Sequence, residues 1–303
     1  MLENFTDRCT YVYVATDAID REAVAPYDTR PGPRSGFTAS ELLAVSLVAE
    51  LVGLDAEPRC PAYPRRNHPT LFPRLPERSR YNRRRRHLAE VTNRLRGAIM
   101  ARLWRVLEAA GADLCAIDSV PVPAAGFPPA RHAHRWYGEA AYGRVAAKRQ
   151  TIHGFKLHLL ISQCGLLLDF ARVAANAADG TLAEQLRIDK AGLTVPGDKG
   201  DLNGPLHQLL AARNALTVLT PRRRNRREQL PEALTRAINH ARQIIETVNS
   251  QPVDQFALQR NRAESVGGRA TRIHAKLAAH TFGLSRNYLA GRPLRALMDL
   301  ALI

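Results

Sequence analysis

Asp113-Leu-Cys-Ala-Ile-Asp-Ser-Val-Pro-Val-Pro123 is the stretch on which the reading of this chain turns. Leu114 to Ile117 is an apolar run too short for a helix and suited to a buried strand. Asp118 closes the run. Pro121 and Pro123 each remove a ladder donor, which predicts that no central strand continues past Asp118. The expectation is a carboxylate held at the end of a buried strand, at the edge of a sheet. A lone aspartate there more commonly opens a turn; the residues further along the chain give this one a chemical context.

Working outward towards the C-terminus, Phe155 to Ile161 and Leu166 to Val173 flank Ser162 to Gly165 and predict a β-hairpin. The stretch between, 124 to 150, is rich in Gly, Ala, Arg and His and reads as a basic loop; His132 and His134 within it are surface histidines rather than metal ligands. A short helix is predicted from Thr181 to Ile188. Gly192-Leu-Thr-Val-Pro-Gly-Asp198-Lys-Gly200 is a second short apolar run, whose glycines let the backbone turn and leave Asp198 at a strand terminus. A helix from Leu206 to Ala212 and a strand from Ala215 to Leu219 follow. That strand–helix–strand spacing implies neighbouring parallel strands with a right-handed crossover. Pro231 to Ser250 carries Leu234, Ile238, Ala241, Ile245 and Val248 as one apolar stripe, a helix with Glu246 at its margin and Arg242 one turn earlier. On its own, Arg242 with Glu246 reads as an ordinary surface ion pair. Arg269 to Leu289 forms a last helix, expected to pack on the sheet.

Towards the N-terminus, Arg78 to Ala110 repeats Leu88, Val91, Leu95, Ile99, Leu103 and Leu107 at helical steps. Thr38 and Glu41 make a capping box before an amphipathic helix over 39–54. Six prolines between Pro58 and Pro76 divide the intervening stretch into turns or short helical pieces. Tyr11 to Ala15 fits a short strand or a helix.

The chain has 303 residues, 45% of them hydrophobic, and a formal net charge of +16. It can therefore fill a core, and its charge favours a polyanionic partner. Fourteen arginines against two acids between Arg59 and Arg105 put most of that charge in one segment. Four of them, Arg83, Arg84, Arg85 and Arg86, are consecutive and cannot all face one side of a helix, so some reach outward as candidate phosphate contacts. A second cluster from Arg222, Arg223 and Arg224 to Arg227 follows the strand ending at Leu219. The four cysteines lack metal-ligand spacing, which argues against structural zinc and against a disulfide framework. No leader pattern and no apolar run near the ~18 residues of a membrane span occurs. The expectation is a cytoplasmic, nucleoid-associated protein with no membrane partner.

Two strand-end aspartates on neighbouring strands, Asp118 and Asp198, faced by a helical glutamate, Glu246, make an all-oxygen donor set. Such a set suits hard Mg²⁺ or Mn²⁺. Two ions about 4 Å apart can assist an in-line displacement at phosphorus.

These residues resemble the IS982-type insertion-sequence transposases of the DDE class. The resemblance rests on Ala116-Ile-Asp-Ser-Val-Pro-Val-Pro123, Gly138 to Lys148, His153-Gly-Phe-Lys-Leu-His-Leu159, Gly197-Asp-Lys-Gly200, Leu219-Thr-Pro-Arg222 and Gln243-Ile-Ile-Glu-Thr-Val-Asn-Ser-Gln251. The arginine-rich stretch from Leu71 to Arg86 adds to it, and about residues 38 to 290 are covered. The resemblance implies an α/β fold, a ribonuclease-H-like mixed sheet flanked by helices over 111–303. A mostly helical, basic, DNA-binding region over 1–110 would precede it. It implies Asp118, Asp198 and Glu246 as metal-binding catalytic acids with two Mg²⁺ or Mn²⁺ ions. Lys156, Lys199 and Arg242 would hold phosphates or orient the acids. It implies cleavage of the ends of an insertion sequence in double-stranded DNA and joining to target DNA, by a homo-oligomer on the DNA. Asp201 stands where an aromatic residue is expected, and Pro252 where an apolar helix former is. A catalytically inactive DNA-binding remnant or repressor of transposition is the alternative, and a host nuclease on the same fold a third reading.

Overall fold

The computed structural model describes residues 5–19, 21, 36–54, 59–110, 114–125, 136, 138–145, 150–177, 194–196, 217–219, 231–259 and 263–297. The helices predicted over 181–188 and 206–212, both histidines of the 124–150 stretch and the arginines after Leu219 lie outside these residues. The chain divides into two compact units: residues 1–103, 251–258 and 263–303 form one, and residues 104–250 with 259–262 the other. The first crossing falls inside a helix, between residues 103 and 104, where the sequence expectation was 110. The C-terminal residues, expected in the second domain, belong to the first unit.

The first unit is helical. It contains α1 (Phe5–Ile19), α2 (Ala39–Leu51), α3 (Arg59–Asn67), α4 (Arg78–His87), most of α5 (Ala89–Ala109) and α7 (Val266–Leu289). The single helix expected from 78 to 110 is two, separated by a turn at Leu88. The Leu88 N–H closes α4 by donating to the Arg84 carbonyl at 3.0 Å. α2 begins on the expected capping box: the Glu41 N–H donates to Thr38 Oγ1 at 3.1 Å, and the Glu41 carboxylate accepts from the Thr38 N–H. It is not amphipathic, because Ser40 and every residue from Leu42 to Glu50 are buried. Alanines and serines fill the face that a surface helix would make charged, so α1, α3, α4 and α7 all pack on it.

Because α2 is enclosed, its one buried acid, Glu50, has to be paired inside. Glu50 Oε1 accepts from Arg85 Nη2 at 3.0 Å, and Glu50 Oε2 from Lys276 Nζ of α7 at 2.8 Å. Lys276 also donates to the Phe256 carbonyl. All three side chains are at most 7% exposed. This ion cluster fastens α7 to α2 and α4, so α7 belongs to the helical unit. Cys60 Sγ and the Tyr81 hydroxyl lie 3.3 Å apart beside it, and burial pushes both the thiol and the phenol up from their ordinary values.

His280 on α7 accounts for a pH dependence. Its Nε2 hydrogen-bonds Gln251 Oε1 at 3.2 Å, while its buried Nδ1 has no partner among the described residues. Protonation would add a second N–H with nothing to receive it, and burial lowers the His280 pKa from 6.5 to about 4. The unfolded chain then binds more protons between those values. The stabilisation is full above pH 6.5 and is lost as pH falls towards 4, a change of up to about 3 kcal/mol. Urea midpoints measured from pH 7 to 4 should fall less steeply for His280→Gln than for the wild type. Parallel curves would show that His280 does not set this slope.

The second unit is built on an antiparallel sheet. β1 (Cys115–Ala125), β2 (Ala141–Val145) and β4 (Leu167–Ala174) all pair with β3 (Gln150–Ser162). β3 and β4 are the expected hairpin, with Gly165 at φ 89° in its turn. β2 was not legible among the glycines, arginines and histidines of 124–150. β5 (Thr194–Pro196) and β6 (Thr217–Leu219) are parallel, as expected, and β5 lies beside β1. The last turns of α5 and most of α6 (Glu232–Asp254) complete an α/β unit of the ribonuclease-H-like kind. Among the described residues, no helix is long and apolar enough to cross a membrane.

β1 does not stop at Asp118. It runs on for seven residues through both prolines, with Pro121 opposite Lys156 and Pro123 opposite Gly154. β3 is the only ladder partner of β1 among the described residues. Pro121 and Pro123 are two apart, so both ring nitrogens lie on the same edge, and facing away from β3 they cost the ladder no bond. The strand ends at an irregularity between Pro123 and Ala125. Opposite it, a Cβ on Gly154 would lie 2.5 Å from the Val122 carbonyl oxygen, so only glycine lets β1 approach there.

Candidate active site

Asp118 sits in the middle of β1, not at its end, with its backbone opposite Leu159 of β3. Its surroundings are fixed by burial: Val120, Val122, Leu157 and Leu159 are each at most 4% exposed. A residue at this place in β1 is positioned by the sheet, more firmly than at the strand end where the sequence placed it. β5 lies beside β1 and ends at Pro196, two residues before Asp198. Asp198 and Lys199 themselves lie outside the described residues. Glu246 and Arg242 are on α6, four residues apart and therefore on one face by helical spacing. The side chains of Asp118, Arg242 and Glu246 are outside the description. No group of three His, Cys, Asp or Glu side chains able to hold a metal occurs among the described residues. The donor set of the three acids is all carboxylate, and that chemistry fits Mg²⁺ or Mn²⁺.

Lys156 is on β3, half-buried, opposite Pro121 and Val173. It is three residues from Leu159, the cross-strand partner of Asp118, and strands alternate faces at every residue. Lys156 is therefore on the opposite sheet face from Leu159, which removes it as a group orienting the acid at Asp118. A cation on the Leu159 face comes instead from Arg172 of β4, opposite Leu157. Its guanidinium carbon stands 4.8 Å above the Phe155 ring centroid, and Nη2 lies 3.4 Å from Glu139 Oε2. Its buried Nη1 has no partner among the described residues. Burial pulls the Arg172 pKa below its ordinary value, and Glu139 opposes that shift. Sequence reading missed Arg172; the alternation within Leu166 to Val173 was the signal that could have found it.

The four consecutive arginines divide as a helix requires. Arg83 and Arg86 are exposed, and Arg84 donates to the Phe37 carbonyl. Arg85 is 6% exposed and held by Glu50, so it is withdrawn from the phosphate-contact set: reaching DNA would leave the Glu50 carboxylate short of a partner inside the core. Arg222, Arg223 and Arg224 lie outside the described residues.

A family model described as "Transposase DDE domain" matches residues 115–266, from the first residue of β1 to the first of α7. No curated protein and no solved structure matches the chain.

Proposed function

The chain belongs to the transposase DDE-domain family, and from that premise we propose that it cuts the ends of an IS982-type insertion sequence and joins them to target DNA. What supports this most is the placement of Asp118: mid-strand in β1, with β5 alongside leading within two residues to Asp198. Asp118, Asp198 and Glu246 are the residues that would hold Mg²⁺ or Mn²⁺. Two such ions, when bound, make the attacking oxygen more nucleophilic and offset charge on the leaving one. Water first attacks a phosphodiester at the element end, breaking the P–O3′ bond on the far side and releasing a 3′-hydroxyl. That hydroxyl then attacks a target phosphodiester, forming a new P–O bond as the old one breaks. The chain's own contribution is to hold DNA in register for both displacements. Arg83 and Arg86 on α4, Arg172 on β4, Arg242 on α6, Lys199 and the arginines 222–224 are the proposed phosphate contacts. A copy of the chain at each end of the element, in the nucleoid, completes this reading.

A non-catalytic DNA-binding remnant is the competing reading, since Asp201 and Pro252 depart from the family pattern. α6 nevertheless continues through Pro252 to Asp254. The deciding experiment incubates the full chain with DNA carrying the sequences that flank its coding region, with Mg²⁺ or Mn²⁺ and with EDTA. Nicked and joined products that vanish in EDTA are expected. DNA binding without cleavage under every metal condition would sink the transposase reading in favour of the remnant.

A further inference from the structure

Helices α1, α2 and α7 enclose a recess lined by Arg8, Tyr11, Val48, Leu51, Phe282 and Arg286, among others, with no acid in its lining among the described residues. It comprises about 320 Å³ counted out to open solvent. Its enclosed floor is water-sized, and the rest of the recess is open to solvent. Val48, Leu51 and Phe282 make its walls apolar, and the Tyr11 ring meets Phe282 edge-on at 6.0 Å between centroids.

Arg8 lies in these walls at 8% exposure, yet its Nε and Nη2 are both buried without a hydrogen-bond partner among the described residues. Burying a guanidinium without a partner is costly. These two nitrogens form one edge of the guanidinium, the side-on fork whose parallel N–H bonds match two oxygens of a carboxylate or phosphate. Arg286 adds a second cation, its guanidinium carbon 5.6 Å from the Tyr11 ring centroid. Burial holds Arg286 below its ordinary value; Tyr11 opposes that, while Arg292 and Arg8 add repulsion. Burial lowers Arg8 likewise. Three arginines near one another, with an unfilled fork and no acid in the recess, are electrostatically complementary to an anion.

We propose that this recess receives a phosphate of the DNA backbone, held side-on by Arg8 Nε and Nη2 and neutralised by Arg286. The proposal rests on the reading of the chain as a DNA-binding protein and adds a docking point in its helical unit, far in sequence from the three acids. The water-sized floor admits one phosphate oxygen, while the rest of the phosphodiester, with its sugars and bases, stays in the open part of the recess. The net charge of +16 favours a polyanion over a free small anion.

The test uses the full chain, with Arg8→Gln and Arg286→Gln. Binding to a random-sequence duplex is followed by fluorescence anisotropy from 50 to 300 mM salt. Melting with added inorganic phosphate is compared with chloride at equal ionic strength. One lost phosphate contact should lower the slope of log affinity against log salt by about 0.9. Affinity at fixed salt should fall about tenfold in Arg8→Gln, with the fold intact. Should Arg8→Gln fail to fold, the same change in Arg286→Gln decides. Unchanged slopes in a folded variant overturn the docking point while leaving DNA binding standing. No DNA binding by the wild type overturns both. A phosphate-induced rise in melting temperature that the variants lose, with slopes unchanged, identifies free phosphate as the occupant and overturns the DNA assignment.

Discussion

Asp118→Asn should abolish cleavage and joining, by about a thousandfold or more, while the duplex affinity of the full chain stays within about twofold. Asparagine keeps the shape of the side chain and removes the charge. Asp118 sits mid-strand, paired to β3 at Leu159, and β5 lies beside β1, so its backbone has little freedom to compensate. An amide oxygen is a weaker ligand for a hard cation than a carboxylate, and neutralising one of three acids removes charge where the metals must be held. Parallel anisotropy and strand-transfer assays separate the two effects. If the variant keeps full joining activity, the site assignment is wrong, whatever the fate of the family membership. If it loses DNA binding as well, Asp118 acts through folding and not through chemistry. Thermal melting of the variant distinguishes that case.

Glu50→Ala should destabilise the helical unit by about 3–5 kcal/mol, enough to unfold it in many proteins of ordinary stability. The carboxylate is the acceptor shared by Arg85 at 3.0 Å and Lys276 at 2.8 Å, with all three side chains at most 7% exposed. Removing it strands two buried cations at once. Lys276→Met should cost less, because Arg85 still neutralises Glu50 and the methionine fills most of the space. Chemical denaturation of both variants tests the order. Equal losses would show that the second cation matters as much as the shared acid. The cluster also explains why an arginine from the basic run is unavailable to DNA: its charge is used to place α4 and α7 around α2.

The elements that could be read from sequence are those whose signal is local. The capping box of α2, the β3–β4 hairpin with its glycine turn and the long helix α6 each carry spacing or turn chemistry within a few residues. The parallel pairing of β5 and β6 was also legible, from strand lengths and the intervening distance. The acids were legible as residue types in a family pattern. For the candidate site, the structure adds the mid-strand place of Asp118 and the neighbouring β5. Lys156 looked close to the site because it is near it in the motif, and the parity of β3 sets it on the other face.

By itself, then, the sequence determined the charge, the α/β order of elements and the ends of the best-capped helices. Only the tertiary structure decided that β1 carries its prolines on a donor-free edge and that α7 returns to the first unit. It alone turned Arg85 inward and buried the fork of Arg8 beside a recess without a partner among the described residues. The physical reason is range: periodicity, caps and turns are settled between residues a few positions apart. Which edge of a strand is paired, and which acid a buried cation meets, depends on contacts such as Glu50 with Lys276, 226 residues apart along the chain.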